Sequence, residues 1–238
     1  MLDAVLDLVL PVRCVGCGGD RGPLCPPCAL AVQSTVALAV PPGDRSGGGE
    51  PAVCVASGPY GGALRAALIA YKERGRRSLA AFLGARLAVA VAAGSGGGRL
   101  LLVPVPSSPA AIRARGGDHV LRLARHAAVT LRSQGVEVMA APLLTQRRTP
   151  ADSVGLTATE RRENIAGAFG VARTRPAARA RQRRGSAIVL VDDIVTTGAT
   201  LTEAARAVSG RGLPVLAAAV VAATSRRGSP GPTARHFR

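Results

Sequence analysis

The stretch Ile188-Val189-Leu190-Val191-Asp192-Asp193-Ile194-Val195-Thr196-Thr197-Gly198-Ala199-Thr200-Leu201 decides how the chain is read. Its first four residues are apolar without alternation, the pattern of a strand buried on both faces in a helix-covered parallel sheet. Open sheets of that kind bind ligands outside the C-terminal ends of their strands. Asp192 and Asp193 come directly off this end, where carboxylates accept from neighbouring hydroxyls such as those of a ribose, or hold Mg2+ through water. Thr196 to Thr200 then supply hydroxyls and backbone N–H groups on a tight turn at a helix N-terminus, a pocket for a phosphate dianion. Acids for a sugar beside donors for a phosphate suggest a ribose 5-phosphate site. On an ordinary strand, turn and capped helix, two adjacent acids would repel one another with nothing to offset them. Two other phosphate schemes are absent, since the chain has neither a GxxxxGK[ST] loop nor a GxGxxG opening its first helix.

Working outward, hydrophobic patterning predicts strands at residues 52–57, Leu100–Val103, Val136–Val138, Ala187–Val191 and Pro214–Val221. Helices are predicted at Gly61–Tyr71, Ser78–Ala93, Val120–Arg132 and Leu201–Ser209, with Glu160–Ile165 in a further helix or turn. This alternation predicts an α/β fold, a mostly parallel sheet flanked by helices. The Gly- and Pro-rich run Pro41–Pro51 reads as a linker. The expected organisation is therefore an N-terminal element (1–40), the linker (41–51), the α/β domain (52–224) and a basic tail (225–238).

A length of 238 residues, 47% of them apolar, allows one such domain with a core of its own plus a small appendage. Aromatics make up only 2% and Trp is absent, which leaves little for stacking on bases. The formal charge is +17, and Lys72 is the only lysine among 31 basic residues. Residues 1–60 hold Arg13, Arg21 and Arg45 against Asp3, Asp7, Asp20, Asp44 and Glu50, so the positive excess lies in the remainder. Such a field suits a polyanion or a phosphorylated small molecule. Arg173, Arg175, Arg179, Arg181, Arg183 and Arg184 crowd the segment 172–185, which reads equally as a nucleic-acid contact or as a solvated insertion. No segment approaches the roughly 20 apolar residues of a membrane span, so no membrane insertion is expected. Leu2 to Leu10, interrupted by Asp3 and Asp7, reads as a short amphipathic helix rather than a signal peptide, which predicts a cytoplasmic protein.

Four of the five cysteines form Cys14-Val-Gly-Cys17 and Cys25-Pro-Pro-Cys28 with glycines between them. Two such turns complete a tetrahedral thiolate set, whereas a single CxxC would have left a redox pair open. Four protein ligands leave no position for water or substrate, so the expected Zn2+ is structural. Cys54, alone in a strand-like run, reads as a buried small hydrophobe.

The 188–201 stretch resembles the phosphoribosyl pyrophosphate (PRPP) motif of type I phosphoribosyltransferases. That resemblance implies that Asp192 and Asp193 contact the ribose hydroxyls, that Thr196, Thr197, Gly198, Ala199 and Thr200 hold the 5-phosphate, and that Mg2+ binds with the pyrophosphate. More widely, the four-cysteine element, Tyr71-Lys72, Val103-Pro104-Val105-Pro106, Arg115-Gly116, Arg161…Asn164…Gly167-Ala168-Phe169 and Val191-Asp192-Asp193 occur in the order of the ComF family. This likeness spans almost the whole length. It implies a phosphoribosyltransferase-like domain behind a zinc-ribbon-like element, in a family associated with DNA uptake in natural transformation. In that fold the loop after the first core strand handles pyrophosphate, which points to Val105, Pro106 and Ser107, with Lys72, Arg113 and Arg115 as cationic contacts. Where ComF proteins commonly carry Arg-Gly-Phe-Asn-Gln, this chain has Arg115-Gly116-Gly117-Asp118-His119, and Ser153 stands at an expected Gln. The implied reaction transfers phosphoribosyl from PRPP to an unidentified acceptor and releases pyrophosphate. The competing readings are a DNA-uptake factor that binds single-stranded DNA or uptake proteins, and a regulator that senses PRPP without turning it over. The sequence names no general base, because His126 falls in a helical pattern and His236 in the tail.

Overall fold

A computed structural model describes residues 13–33, 38–40, 51, 53–150, 157–172 and 185–224. The chain runs through α1 (Pro26–Gln33), β1 (Leu38–Val40), β2 (Cys54–Ala56), α2 (Gly62–Glu73), a 3-10 turn (Arg77–Leu79), α3 (Ala80–Ser95), β3 (Leu100–Pro104), α4 (Pro109–Ala114) and α5 (His119–Ser133). It continues through β4 (Val138–Ala140), β5 (Leu144–Gln146), α6 (Ala158–Ile165), β6 (Phe169–Val171), β7 (Ala187–Val195), α7 (Ala199–Ser209) and β8 (Val215–Ala223). Strands β2, β8, β7, β3 and β4 lie side by side and parallel, and β1 adds an antiparallel edge to β2. Strands β5 and β6 pair antiparallel in a separate small sheet.

The expected mostly parallel sheet flanked by helices is thus what forms, and the period of two along its strands explains the layering. Leu100, Leu102, Val189, Val191, Ala217, Ala219 and Val221 join one buried cluster with α2, α3 and α5. The alternate residues Leu101, Val103, Ile188, Leu190, Ala218 and Val220 join a second with α7, β5 and β6. With both faces covered, the central strands are apolar throughout, as the run at 188–191 suggested.

The strand predicted at Val136–Val138 lies instead at Val138–Ala140, and the end of β7 needs correction too. The predicted strand stopped at Val191, so that both acids lay in a loop, but β7 continues to Val195. Parallel β8 supplies backbone partners for the extension, pairing Asp192 with Val220, Ile194 with Ala222 and Val195 with Ala223. On its other side, β3 ends at Pro104 opposite Val191. The acids therefore stand on a strand that outruns one neighbour, which fixes their backbone and opens one flank. The patterning also missed α1, β1, α4, β5 and β6, all of them short. The predicted helix at residues 2–10, the linker residues 41–50, the arginines of 173–184 and the tail from 225 lie outside the described residues.

The expectation that no segment approaches membrane-spanning length was too strong. Residues Arg77–Ser95 are long and apolar enough by length and composition, yet half of that window is buried within the protein. Leu83, Leu87, Ala90 and Val91 pack into the core between the sheet and α5, which accounts for the helix's apolarity. Where α3 meets α5 the contact is made through Gly84. A Cβ there would collide with His126 Cβ and would lie 3.2 Å from both Ala127 N and Leu123 O. His126 thus serves as helix packing. Gly84→Ala is expected to lower stability by about 1–3 kcal/mol through overpacking, read as a lower urea midpoint with an unchanged slope; an unchanged midpoint would show that the two helices separate freely.

Candidate functional site

Where β3 stops, its chain turns into a loop held against β7 by a hydrogen bond from Val105 N to Val191 O, 2.9 Å. Next to that loop stands the most enclosed acid of the site. Asp193 is only 5% exposed. Its Oδ1 accepts from Ile194 N at 2.8 Å. Its Oδ2 accepts from Lys72 Nζ at 2.8 Å and from His119 Nε2 at 3.1 Å. Burial alone would raise this carboxyl, but the His119 hydrogen bond and the Lys72 charge hold it well below the usual carboxylate range. Burial likewise works against the Lys72 ammonium, and the Asp193 charge more than offsets it, leaving that group above its ordinary value.

The partners of Asp193 come from helices far away in sequence. Lys72 lies in the last turn of α2, and His119 is the first residue of α5, behind an Asp118 cap whose Oδ1 accepts from Leu121 N at 3.1 Å. Tyr71 Oη donates to the His119 carbonyl at 2.9 Å, locking one helix end to the other. Arg115 Nε donates to the Lys72 carbonyl at 3.0 Å, and its guanidinium reaches Glu73 at 3.5 Å. His119 Nδ1 lies 3.1 Å from Ser107 Oγ, so the ring bridges the loop after β3 and the acid on β7.

Asp192 has the opposite character. It is half-buried, and its Oδ1 accepts from Asp193 N at 2.8 Å. Burial and the adjacent Asp193 charge push its carboxyl well above the usual range. Beyond it, Gly198 takes φ +85°, a conformation that disfavours side chains, and opens α7 as an N-cap with no side chain of its own to cap the turn. Thr197 Oγ1 accepts from Ala199 N at 3.4 Å. Amides at a helix N-terminus suit an anion.

Of the residues singled out from sequence, Asp192, Asp193 and Lys72 come together, Ser107 joins them through His119, and Thr196 to Thr200 follow at the end of the same strand. Val105 is buried and Pro106 half-buried in the loop after β3. Arg113 is exposed on α4, while Arg115 is engaged by the end of α2. Sequence reasoning missed His119 and the hydroxyl of Tyr71. Their partners are 74 and 48 residues away, and only the fold joins them.

The four cysteine sulfurs, Cys14, Cys17, Cys25 and Cys28, all lie within 4.8 Å of one another, with Cys17 Sγ 3.6 Å from Cys25 Sγ. The edge of a tetrahedron with Zn–S bonds of about 2.3 Å is about 3.8 Å, so the set can bind a metal ion such as zinc. Burial would raise the Cys14 thiol, but the amides of Cys25, Cys17 and Gly16 bring it down to about 6. Val15, Leu24 and Val32 pack the cysteine element into the main core, and Arg76 Nη1 donates to the Arg13 carbonyl at 2.8 Å. Cys54 is buried on β2 as expected, its thiol pushed up to about 12 by burial and the Asp192 charge.

Residues 127–232 match the family model of the phosphoribosyl transferase domain. The matched stretch contains both acids and the Thr-rich turn, while Lys72, Ser107 and His119 precede it. No curated protein matches the chain at a significant level.

Two predictions follow from this geometry. A carboxyl lowered in the folded state adds stability above its unfolded value, about pH 4, and loses it as the pH falls; a raised carboxyl does the reverse. At pH about 7, Asp193→Asn should therefore destabilise the protein by about 2 kcal/mol, and Asp192→Asn should stabilise it by about 1 kcal/mol. Shifts of the same sign in thermal unfolding would contradict the assigned environments. Separately, the purified protein should carry about one zinc per chain, and Cys14→Ser/Cys17→Ser should release it; full retention in that variant would refute the four-cysteine assignment.

Proposed function

We propose that the protein is a phosphoribosyltransferase that moves the phosphoribosyl group of PRPP to an acceptor nucleophile and releases pyrophosphate. The observation that carries this reading is the acid pair on the overhanging end of β7, running into the Thr-rich turn that opens α7 inside the matched region. In this reading Asp192 and Asp193 accept the ribose hydroxyls. The amides and hydroxyls of residues 196–200 hold the 5-phosphate, and the loop at 105–107 faces the pyrophosphate.

The reaction breaks the bond from C1 to the pyrophosphate oxygen, whose electron pair leaves with the pyrophosphate, and forms a bond from C1 to the acceptor. Positive charge builds on the ribose ring as this happens, so anchored carboxylates beneath the hydroxyls and cations near the leaving group lower the barrier. Lys72 Nζ lies 2.8 Å from Asp193 Oδ2. A hydroxyl that takes over part of that carboxylate frees the ammonium toward the departing pyrophosphate. Mg2+ would enter on the pyrophosphate and neutralise its charge; both oxygens of Asp193 are already engaged by protein donors, so this residue is not assigned as a metal ligand. The order of motifs along the chain further supports a ComF-type protein, with its association with DNA uptake.

Calorimetric titration of PRPP with Mg2+, at near-physiological salt to screen the bulk charge, tests this reading. Wild type should bind, and Asp192→Asn/Asp193→Asn should bind at least about a hundredfold more weakly, given two lost charged hydrogen-bond acceptors. Binding should be followed by pyrophosphate release when the right nucleobase or other nucleophile is supplied. Equal affinity in both proteins would mean that the basic surface alone captures the anion.

A further inference from the structure

We propose that binding of a diphosphate at Ser107 is coupled to uptake of one proton at His119 Nδ1, so that the pocket holds PRPP more tightly as the pH falls. This rests on the reading of the site given above. It follows from the direction of two hydrogen bonds. Asp193 is held as a carboxylate and can only accept, so His119 Nε2, 3.1 Å from it, must carry a hydrogen. If the ring is neutral, Nδ1 is then an acceptor, and the Ser107 hydroxyl must turn its hydrogen inward to it across 3.1 Å. Only the lone pairs of Ser107 are left for a ligand, and these repel a phosphate oxygen. If the ring is an imidazolium, Nδ1 donates instead. Ser107 then accepts from the ring, and its own hydrogen is free for the anion.

The ring cannot escape this choice by rotating. His119 is 6% exposed, its carbonyl is held by Tyr71 Oη at 2.9 Å, and its ring lies tilted against the Tyr71 ring with centroids 6.4 Å apart. Among the described residues, the charged and titratable groups around it are few. From β7 come Asp193 and, one residue before it, Asp192. From α2 come Tyr71 and the Lys72 ammonium, which shares Oδ2 of Asp193 with the imidazole. From its own helix come Asp118 at the cap and Arg122 one turn on, and from the preceding loop Arg115, bound to the Lys72 carbonyl. Among the described residues none of them touches Nδ1, which meets Ser107. The protonation of that nitrogen is thus read out at the ligand-facing hydroxyl.

The test is calorimetry of PRPP with Mg2+ at about pH 7.5, in several buffers of differing ionisation enthalpy, on wild type, His119→Gln and Ser107→Ala. The 5-phosphate of PRPP titrates nearby, so the proton count of interest is the difference between wild type and each variant. Wild type should take up more protons on binding than either variant, and its affinity should fall more steeply than theirs as the pH rises, by up to about tenfold per pH unit. Glutamine can bridge the same two partners without titrating, so His119→Gln should still bind, at the affinity of wild type at high pH and with a flatter pH profile. Equal proton uptake in wild type and both variants, alongside tight binding, would overturn this inference and leave the PRPP reading intact. Absence of PRPP binding by wild type would overturn the reading itself, and the inference with it.

Discussion

A carboxylate that is 95% removed from water cannot remain charged without partners, and the C-terminal edge of this sheet is organised around supplying them to Asp193. An ammonium and an imidazole meet on one of its oxygens and a backbone amide meets the other. That requirement fixes where two helices end and begin. Lys72 must close α2, and His119 must open α5. The Tyr71 and Arg115 hydrogen bonds then tie the end of α2 to the start of α5 and to the loop before it. Three segments far apart in sequence are registered against one another by a single buried charge.

The two neighbouring acids divide the work. Asp193 is paired and satisfied, while Asp192 is left half-buried beside a like charge at a cost to the folded state. Such local costs collect where ligands bind, and the rest of the fold carries them. Alanines at 217–219 and 222–223 make β8 slim, and β8 in turn gives β7 the backbone partners that carry it past Val191 to the acids. The cysteine element contributes from the other side. By packing Val15, Leu24 and Val32 into the core around α2, it steadies the helix whose last turn delivers Lys72.

Much of this was legible in the sequence wherever the information is local. An unbroken apolar run is a doubly covered strand whatever surrounds it, and paired CxxC turns bring thiols together by their own geometry. Long periodic helices such as α3 and α5 announced themselves in the same way. The extension of β7 to Val195 was not legible, because the residues Asp192-Asp193 look like loop until a parallel neighbour supplies their hydrogen bonds. His119 was hidden for a related reason. Nothing about a lone histidine after an aspartate says that Ser107 and Asp193 will close on its two nitrogens, and the matched family region begins only after it. Strands β5 and β6, three residues each, carry too short a pattern to stand out from loop.

A crystal structure of the protein with PRPP and Mg2+ bound tests the central claim most directly. The account predicts the ribose hydroxyls on Asp192 and Asp193, the 5-phosphate in the turn at 196–200, and the pyrophosphate at 105–107 within reach of Lys72. A ligand held by exposed arginines instead, with Lys72 and His119 still closed on Asp193 and the Thr-rich turn empty, would contradict it.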